Sequence, residues 1–397
     1  MTGNLPDSWQ WKSLREVATI NYGKSASAIL SDEGEIPVVG TGGVERYGSD
    51  YLYDGASIIL GRKGTIDKVS YIDGRFWPID TAYYLNAFQG GARVRWLYYF
   101  LQTVDLRSLN EATGVPSLSR ELLYKLMIPT PCPEEQEKIA EILATLDLAI
   151  EQTEALIAKQ HRIKVGLMQD LLTKGIDEHG NIRSETTHAF KDSPLGRIPV
   201  EWSVSSLGAV AKFQSGYAFK NQELTETGLR VVRISNLHKE NFPYWHYDGS
   251  AKETWFVHEG DILFSWAGVA SSIDCVRYIG PSALLNQHIY NLVIPDEALR
   301  AFVYYSLQSY LPKLRTEIEG GAGQLHLTKG KIQSIVIPEP GNAELTKIIE
   351  TMEKEESMLS VYKKQLSKAK SLKSGLMHDL LIGTRRVMPF LAQAAKQ

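Results

Sequence analysis

The stretch IPTPCPEEQEKIAEIL, residues 128–143, is answered by IPEPGNAELTKIIETM, residues 337–352. GLMQDLL at 166–172 is answered in the same way by GLMHDLL at 375–381. Both pairs stand 209 residues apart, so residues 128–172 form a 45-residue block that the chain repeats in register. A second echo opens each half: LPDSWQWKSL at 5–14 resembles IPVEWSVSSL at 198–207, at an offset of 193. The two offsets differ, so a constant frame surrounds inserts of unequal length and unlike text. A repeated frame with divergent inserts suits a device that reads two different things by one mechanism.

The repeated block reads as a long helix. Glu134, Glu135 and Glu137 follow Pro133 and put negative charge in the first turn, where it complements the helix dipole. Apolar residues then recur every seven positions at Leu143, Ile150, Ile157 and Leu171, with Ile139, Leu146 and Leu167 on the companion seam. The second copy offers Met352, Leu359, Leu366 and Leu380, joined by Ile348, Tyr362 and Leu376. A stripe this narrow on helices of about 40 residues is a pairing seam rather than a globular face. The two copies are the natural partners for each other; the alternative is that each packs on its own domain. Glu355 and Glu356 interrupt the second seam.

Ahead of each helix lie short strand-like runs separated by turns: EIPVVG, ASIILG and DKVSYI in the first half, LRVVRI, GDILFSW and HIYNLVI in the second. Shorter helical stretches fall at 93–105 and 296–315. Residues 173–197 are polar, with few large apolar side chains, and read as a linker or extended crossover. The expected layout is domain 1–132, helix 133–172, linker 173–197, domain 198–340, helix 341–382 and tail 383–397.

Composition sets the outer bounds. The chain has 397 residues, room for two or three cored domains. It opens without a basic segment followed by an apolar run, and no apolar run of about 18 residues occurs, so a cytoplasmic protein is expected. Cys132 and Cys275, one per half at unrelated places, do not suggest a disulfide framework. A net charge of −3 argues against indiscriminate coating of nucleic acid, yet leaves room for local basic loops.

The motifs together are specific. I-P-x-P before a helix carrying E-x-Q-x-K-I, the ending GLMQDLLT, and DSPLGRIPVEWSVSSLG at 192–208 resemble the specificity subunits of type I restriction-modification enzymes. The insert DGASIILGRKGTIDKVSYIDGRFWPIDTAYYL from Asp54 resembles a common target-recognition text of that family. So do GLRVVRISNL from Gly228 and EGDILFSWAG from Glu259. EPGNAELTK departs from the pattern, lacking E-x-Q. The resemblance implies a mixed α/β chain: two α+β target-recognition domains and two long helices pairing as an antiparallel coiled coil, with pseudo-twofold symmetry. It implies a non-catalytic, DNA-reading subunit of a host-defence system, each domain binding half of a split target. Two adenine methyltransferase subunits and motor-nuclease subunits are the implied partners. S-adenosylmethionine, ATP and magnesium are expected in those partners and none in this chain. The alternatives are a fused adenine methyltransferase and a duplicated adaptor that binds protein only.

Candidate DNA contacts follow from chemistry. Gly61-Arg62-Lys63-Gly64-Thr65 puts two cations and a hydroxyl on a tight loop after an apolar strand; its backbone N–H groups could hold a phosphate, and Arg62 a guanine edge. A solvated turn is the plainer reading. Ser117, Ser119 and Arg120 have counterparts in Gln324, His326, Thr328 and Lys329. Arg233, Ser235 and Asn236 end one strand, and Ser265 and Trp266 another. Asn286, Gln287 and His288 bring amide and imidazole groups. Tyr47 and Trp266 could stack, or be ordinary filler.

Three other features weigh less. GTGGVERYG at 40–48 misses dinucleotide-loop spacing. NFPYW at 241–245 resembles a methyltransferase N-P-P-F loop, but Phe242 replaces the first proline. The nine histidines are scattered without metal-ligand spacing.

Overall fold

The computed structural model describes residues 5–239, 241–319 and 325–387. The chain divides into two compact units: unit 1 is residues 1–155 with 362–397, and unit 2 is residues 156–361.

Unit 1 begins with β1 (Gln10–Ser13), α1 (Leu14–Val17) and β2 (Thr19–Tyr22), then β3 (Ile36–Gly40), β4 (Gly43–Gly48), β5 (Tyr53–Asp54), β6 (Ser57–Gly61), β7 (Val69–Ile72), β8 (Arg75–Pro78) and β9 (Ala82–Asn86). Then come α2 (Val94–Gln102), α3 (Arg120–Tyr124), β10 (Met127–Thr130) and the long α4 (Pro133–Thr173). One sheet runs β2-β9-β6-β7, another β4-β3-β8-β5, and β1 pairs with β10. The apolar run of β6 makes it a middle strand buried along its length. Side chains alternate across a strand, so Ile58 and Leu60 enter the core against Trp96, Leu97 and Leu101 of α2. Ile59 faces the other way, onto Val39 and Phe76 of the second sheet. Each such residue contributes roughly 1.5–3 kcal/mol by burial, and a charge at Ile59 would open that inter-sheet core.

Unit 2 repeats this plan. After a hairpin of β11 (Phe190–Ser193) and β12 (Gly196–Pro199) come β13 (Ser203–Ser206), α5 (Leu207–Val210), β14 (Lys212–Ser215), β15 (Leu229–Val232), α6 (Ile234–His238), β16 (Trp245–Tyr247), β17 (Phe256–Val257), β18 (Ile262–Ser265) and β19 (Ala267–Gly268). β20 (Asp274–Arg277), β21 (Ala283–Leu285), β22 (Ile289–Val293), α7 (Glu297–Glu319), β23 (Leu325–His326), α8 (Lys329–Gln333), β24 (Val336–Glu339) and α9 (Asn342–Leu381) complete it. The sheets are β14-β22-β18-β20 and β16-β15-β21-β17, with β13 on β24, so each strand order of unit 1 recurs. β15–β21 is the parallel pair, as β3–β8 is in unit 1. The middle strand β18 splits its side chains in the same way: Ile262 and Phe264 face one core, Leu263 the other.

The long helices span 41 and 40 residues, and each divides its length between the units. In unit 1, Ile139 and Leu143 of α4 share a core with Leu380 and Leu381 of α9, with Leu376 packed at its edge. In unit 2, Leu171 and Leu172 share one with Ile348 and Met352, with Leu167 at its edge. Leu359 is buried, whereas Leu146, Ile150, Ile157, Tyr362 and Leu366 are half-buried. Polar pairs accompany this stretch: Lys373–Asp147 at 2.5 Å and Lys370–Glu154 at 2.6 Å in unit 1, Lys164–Glu356 at 3.0 Å and a Gln160–Glu355 hydrogen bond in unit 2.

A matching latch ties each domain to these helices. In unit 1 the Trp9 indole N–H donates to Glu135 at 3.0 Å, and Arg386 donates to both oxygens of that carboxylate at 2.7 and 2.8 Å. In unit 2 the Trp202 indole donates to Glu344 at 3.0 Å, and Arg183 forks onto the same carboxylate. Glu135 and Glu344 are equivalent in the repeat, as are Trp9 and Trp202. The arginine that closes each latch follows the end of the other copy's helix.

These latches give two of the expected connecting segments an ordered structure. Residues 173–197 are not a free linker: Ile176 is buried, Arg183 is ion-paired and 190–199 forms a hairpin. Nor is 383–397 a loose tail at its start, since Arg386 is paired and Val387 is 3% exposed. Polarity misled in both places because one arginine in each segment, Arg183 and Arg386, is ion-paired with a largely buried glutamate. α7 also runs four residues beyond the expected 315, through Pro312.

Candidate nucleic-acid interface

The loop after β6 is held by its own backbone. Gly61 is required there, because a Cβ would stand 2.0 Å from the carbonyl oxygen of Thr65, and Gly64 turns the chain with φ +85°. The N–H groups of Arg62 and Lys63 donate to the Thr81 carbonyl at 2.9 and 3.2 Å, and that of Gly64 to Pro116 at 2.9 Å. The expectation that these N–H groups cradle a phosphate is therefore wrong: the fold has used them. The loop's side chains remain for binding. Leu118 N–H donates to the Arg62 carbonyl at 3.0 Å, and Lys63 bridges Ser117, so the loop and the 116–120 segment are one surface. Ser119 stands at the start of α3 and Arg120 is its first residue.

Unit 2 builds the same surface with other residues. Ala267 pairs with His326, and Leu327 N–H donates to the Trp266 carbonyl at 3.1 Å. Trp266 thus takes the place of Arg62. Thr328 caps α8 through its hydroxyl and Lys329 is its first residue, in the places of Ser119 and Arg120. Lys329 Nζ lies 6.0 Å from the Phe213 ring. Trp266 stacks on Tyr290 at 5.7 Å and meets His288 edge-on at 5.5 Å; Gln287 reaches His288 Nε2 at 3.1 Å. Gln324 lies outside the described residues.

Several expected contacts turn inward. Ser265 is fully buried, donating to the Ser272 carbonyl at 2.5 Å and accepting from Asp274 N–H at 2.9 Å, so it leaves the candidate set. Arg233 lies over Trp245 at 4.1 Å and Phe242 at 5.0 Å and donates to the Pro243 carbonyl; burial pulls its guanidinium below its usual value. Asn236 accepts from Arg233 N–H at 3.0 Å and donates to the Phe242 carbonyl at 2.9 Å. Both hold the 241–245 turn, which explains NFPYW without a methyltransferase site, and Ser235 sits between them on α6. Asn286 is 9% exposed and its N–H donates to Val232. Tyr47 is exposed on β4, in the other sheet from β6, and GTGGVERYG leads into that strand rather than a helix.

The reading from sequence missed residues beside these loops. Tyr22 and Lys24 flank Gly23, where a Cβ would meet the Ile79 carbonyl oxygen at 2.0 Å; Ser215 and Tyr217 flank the equivalent Gly216. Aligning the G of NYGKS with that of QSGYA would have found them. Among the described residues there is no cluster of three metal-ligating side chains. Nor is any helix among them long and apolar enough to cross a membrane.

The sequence pattern of the type I restriction modification DNA specificity domain matches residues 6–159 and again residues 199–370. The chain belongs to the type I specificity-subunit family. It is 26% identical over 355 residues to the type I restriction enzyme MjaVIII specificity subunit of Methanocaldococcus jannaschii, covering 85% of this chain and 78% of the relative. It is 25% identical over 155 residues to the EcoBI specificity subunit of Escherichia coli, covering 38% and 32%. The crystal structure of a type I restriction-modification S subunit from M. genitalium superposes with a TM-score of 0.68 at 17% identity, covering 96% of this chain and 97% of that one. A chain from a study of type I system assembly and conformational transition gives 0.53 at 16% identity, covering 96% and 100%. Both solved structures share this fold. Specificity subunits of this family are non-catalytic.

Proposed function

We propose that this chain reads a bipartite double-stranded DNA target, one half-site per unit, for a type I restriction-modification complex. One observation carries the reading: the two units share strand order and loop anchoring, while the side chains at equivalent loop positions differ. Shared frames give identical partner subunits two equivalent seats, and unlike loops give each half-site its own text. On this reading two adenine methyltransferase subunits dock on the repeated frame and motor-nuclease subunits join them. S-adenosylmethionine, ATP and magnesium serve those partners, in the cytoplasm. The long helices pair as an antiparallel coiled coil about a pseudo-twofold axis and set the gap between half-sites. At 1.5 Å rise per residue each spans roughly 60 Å.

Replacing residues 198–340 with the matching segment of a relative tests the division of labour. Selection of bound duplexes from a random library is expected to show one half-site changed and the other kept. A change in both halves together would sink the model of independent readers. The gap is tested by inserting four residues into each helix, which adds about 6 Å and is expected to lengthen the preferred gap by one or two base pairs; an unchanged gap removes the helices as its ruler.

A further inference from the structure

We propose that Tyr22 is a positioning residue whose ring holds the Arg62 and Arg120 guanidinium groups together as a two-cation clamp for one phosphodiester of the DNA. This rests on the DNA-reading function proposed above and names a contact within it.

Tyr22 ends β2, 44% exposed, with its ring tilted against Tyr83 at 5.2 Å. The Arg62 guanidinium lies 5.1 Å from the Tyr22 ring centroid and that of Arg120 lies 4.9 Å from it. A cation is drawn to an aromatic face by the ring quadrupole, so one ring gathers two like charges that would otherwise repel. Their backbones are already stitched together through Leu118 N–H on the Arg62 carbonyl. Tyr83 adds a second tie by donating its hydroxyl to the Leu118 carbonyl at 3.1 Å.

The pair lacks a counter-charge. Arg15, Arg75, Arg93 and Arg107 of unit 1 each sit on a carboxylate, whereas Arg62 and Arg120, like Arg46 and Arg95, have no ion pair among the described residues; of these four only Arg62 and Arg120 share one ring. Arg62 donates one N–H to the Asp80 carbonyl at 3.0 Å, and the buried Arg120 Nε has no hydrogen-bond partner among the described residues. A guanine edge takes one guanidinium. Two held against one ring by cation–π contact suit the several oxygens of a phosphate. Unit 2 has Ser215, Trp266 and Lys329 in the three positions, so the clamp belongs to unit 1 alone.

The test measures binding of the full chain to its selected duplex across a potassium chloride series. Tyr22→Phe keeps the ring and is expected to bind as wild type does. Tyr22→Leu is expected to weaken binding on every sequence alike and to reduce the salt slope by about 0.9, the value of one phosphate contact. Arg120→Gln should match it, and the double variant should lose no more than either single. A Tyr22→Leu slope equal to wild type while Arg120→Gln falls would overturn the clamp yet keep the DNA reading. Discrimination lost at one base with the slope intact would also overturn it, by making these arginines base readers. If Arg62→Gln and Arg120→Gln both leave affinity and slope unchanged, the loop is off the DNA and both proposals fail here. A scan with single methylphosphonates decides the matter even if Tyr22→Leu misfolds. One position should weaken wild type several-fold and leave Arg120→Gln indifferent, and a scan without such a position overturns the clamp.

Discussion

The two loop surfaces use one backbone and different side-chain chemistries. At the unit 1 loop Arg62, Lys63 and Arg120 gather with Tyr22, and Lys24 follows two residues after that tyrosine. At the equivalent places unit 2 has Tyr217, Trp266, Ala267 and Lys329. In both, the loop after the buried middle strand is fixed by hydrogen bonds to the segment before a short helix. The scaffold therefore decides where side chains stand and leaves their nature open. A cation cluster gains affinity by displacing counterions, which is sensitive to salt. A surface of indole, phenol and imidazole gains it by desolvation and contact, which is far less so. On the proposed reading, the two halves of the target should be held by forces that respond differently to the same change of solvent.

The largest expected effect tests whether the frames are truly alike. Glu135→Ala would strand the Arg386 guanidinium and the Trp9 indole, and Glu344→Ala the corresponding Arg183 and Trp202. Removing one partner of a buried pair costs about 3–5 kcal/mol; Arg386 is partly exposed, so the lower end is expected in unit 1. Hydrogen exchange localised to each unit should show each variant loosening its own unit. Loosening of the wrong unit, or of neither, would break the equivalence. Next in size, changing Arg62 and Lys63 together to alanine should weaken DNA binding and flatten the salt slope by up to about 1.8, two phosphates' worth, without altering the folded state seen by circular dichroism. A smaller change is expected from Trp266→Ala: an affinity loss of about 1–2 kcal/mol, as for a contact tryptophan, at an unchanged slope. A slope that falls with Trp266→Ala would erase the contrast between the two surfaces. The smallest effect concerns the thiols. Cys275 is fully buried and its thiol is pushed well above its usual range by burial, whereas Cys132 is partly exposed. A maleimide at neutral pH should label Cys132 and spare Cys275 until the protein is unfolded, as thiolate and access both require; mass spectrometry of the labelled peptides decides it.

The frame was plain in the sequence because it is periodic and repeated. The glutamates after Pro133 mark the first turn of α4, and the unbroken SIILG run marks a strand buried on both faces. Which polar groups face outward was not plain. Arg233 and Asn236 look like readers at a strand end, yet a turn carrying Phe242, Pro243 and Trp245 folds back and takes their hydrogen bonds. Ser265 precedes Trp266 directly, and strand alternation sends it inward. Tyr22 could not be singled out, because one tyrosine in strand-rich text looks like any other until two arginines from distant segments arrive on its ring. The latches were hidden for a related reason: Trp9, Glu135 and Arg386 come together from three places far apart in the chain. Glu344 was present in the very segment that seemed to depart from the family pattern, and it keeps the one carboxylate that the latch needs.

The way the helices are shared has a consequence for the order in which the protein is finished. Unit 2 is an uninterrupted run, residues 156–361, whereas unit 1 needs residues 362–387 to fill its core and close on Glu135. Synthesis proceeds from the N-terminus at roughly 5–20 residues per second. The first recognition domain therefore waits, with its helix partner missing, for something like ten seconds or more after its own strands have been made, while the second assembles in full. The half of the molecule that is translated first is completed last, and during that wait the apolar face of Ile139 and Leu143 is open to whatever protein is nearby.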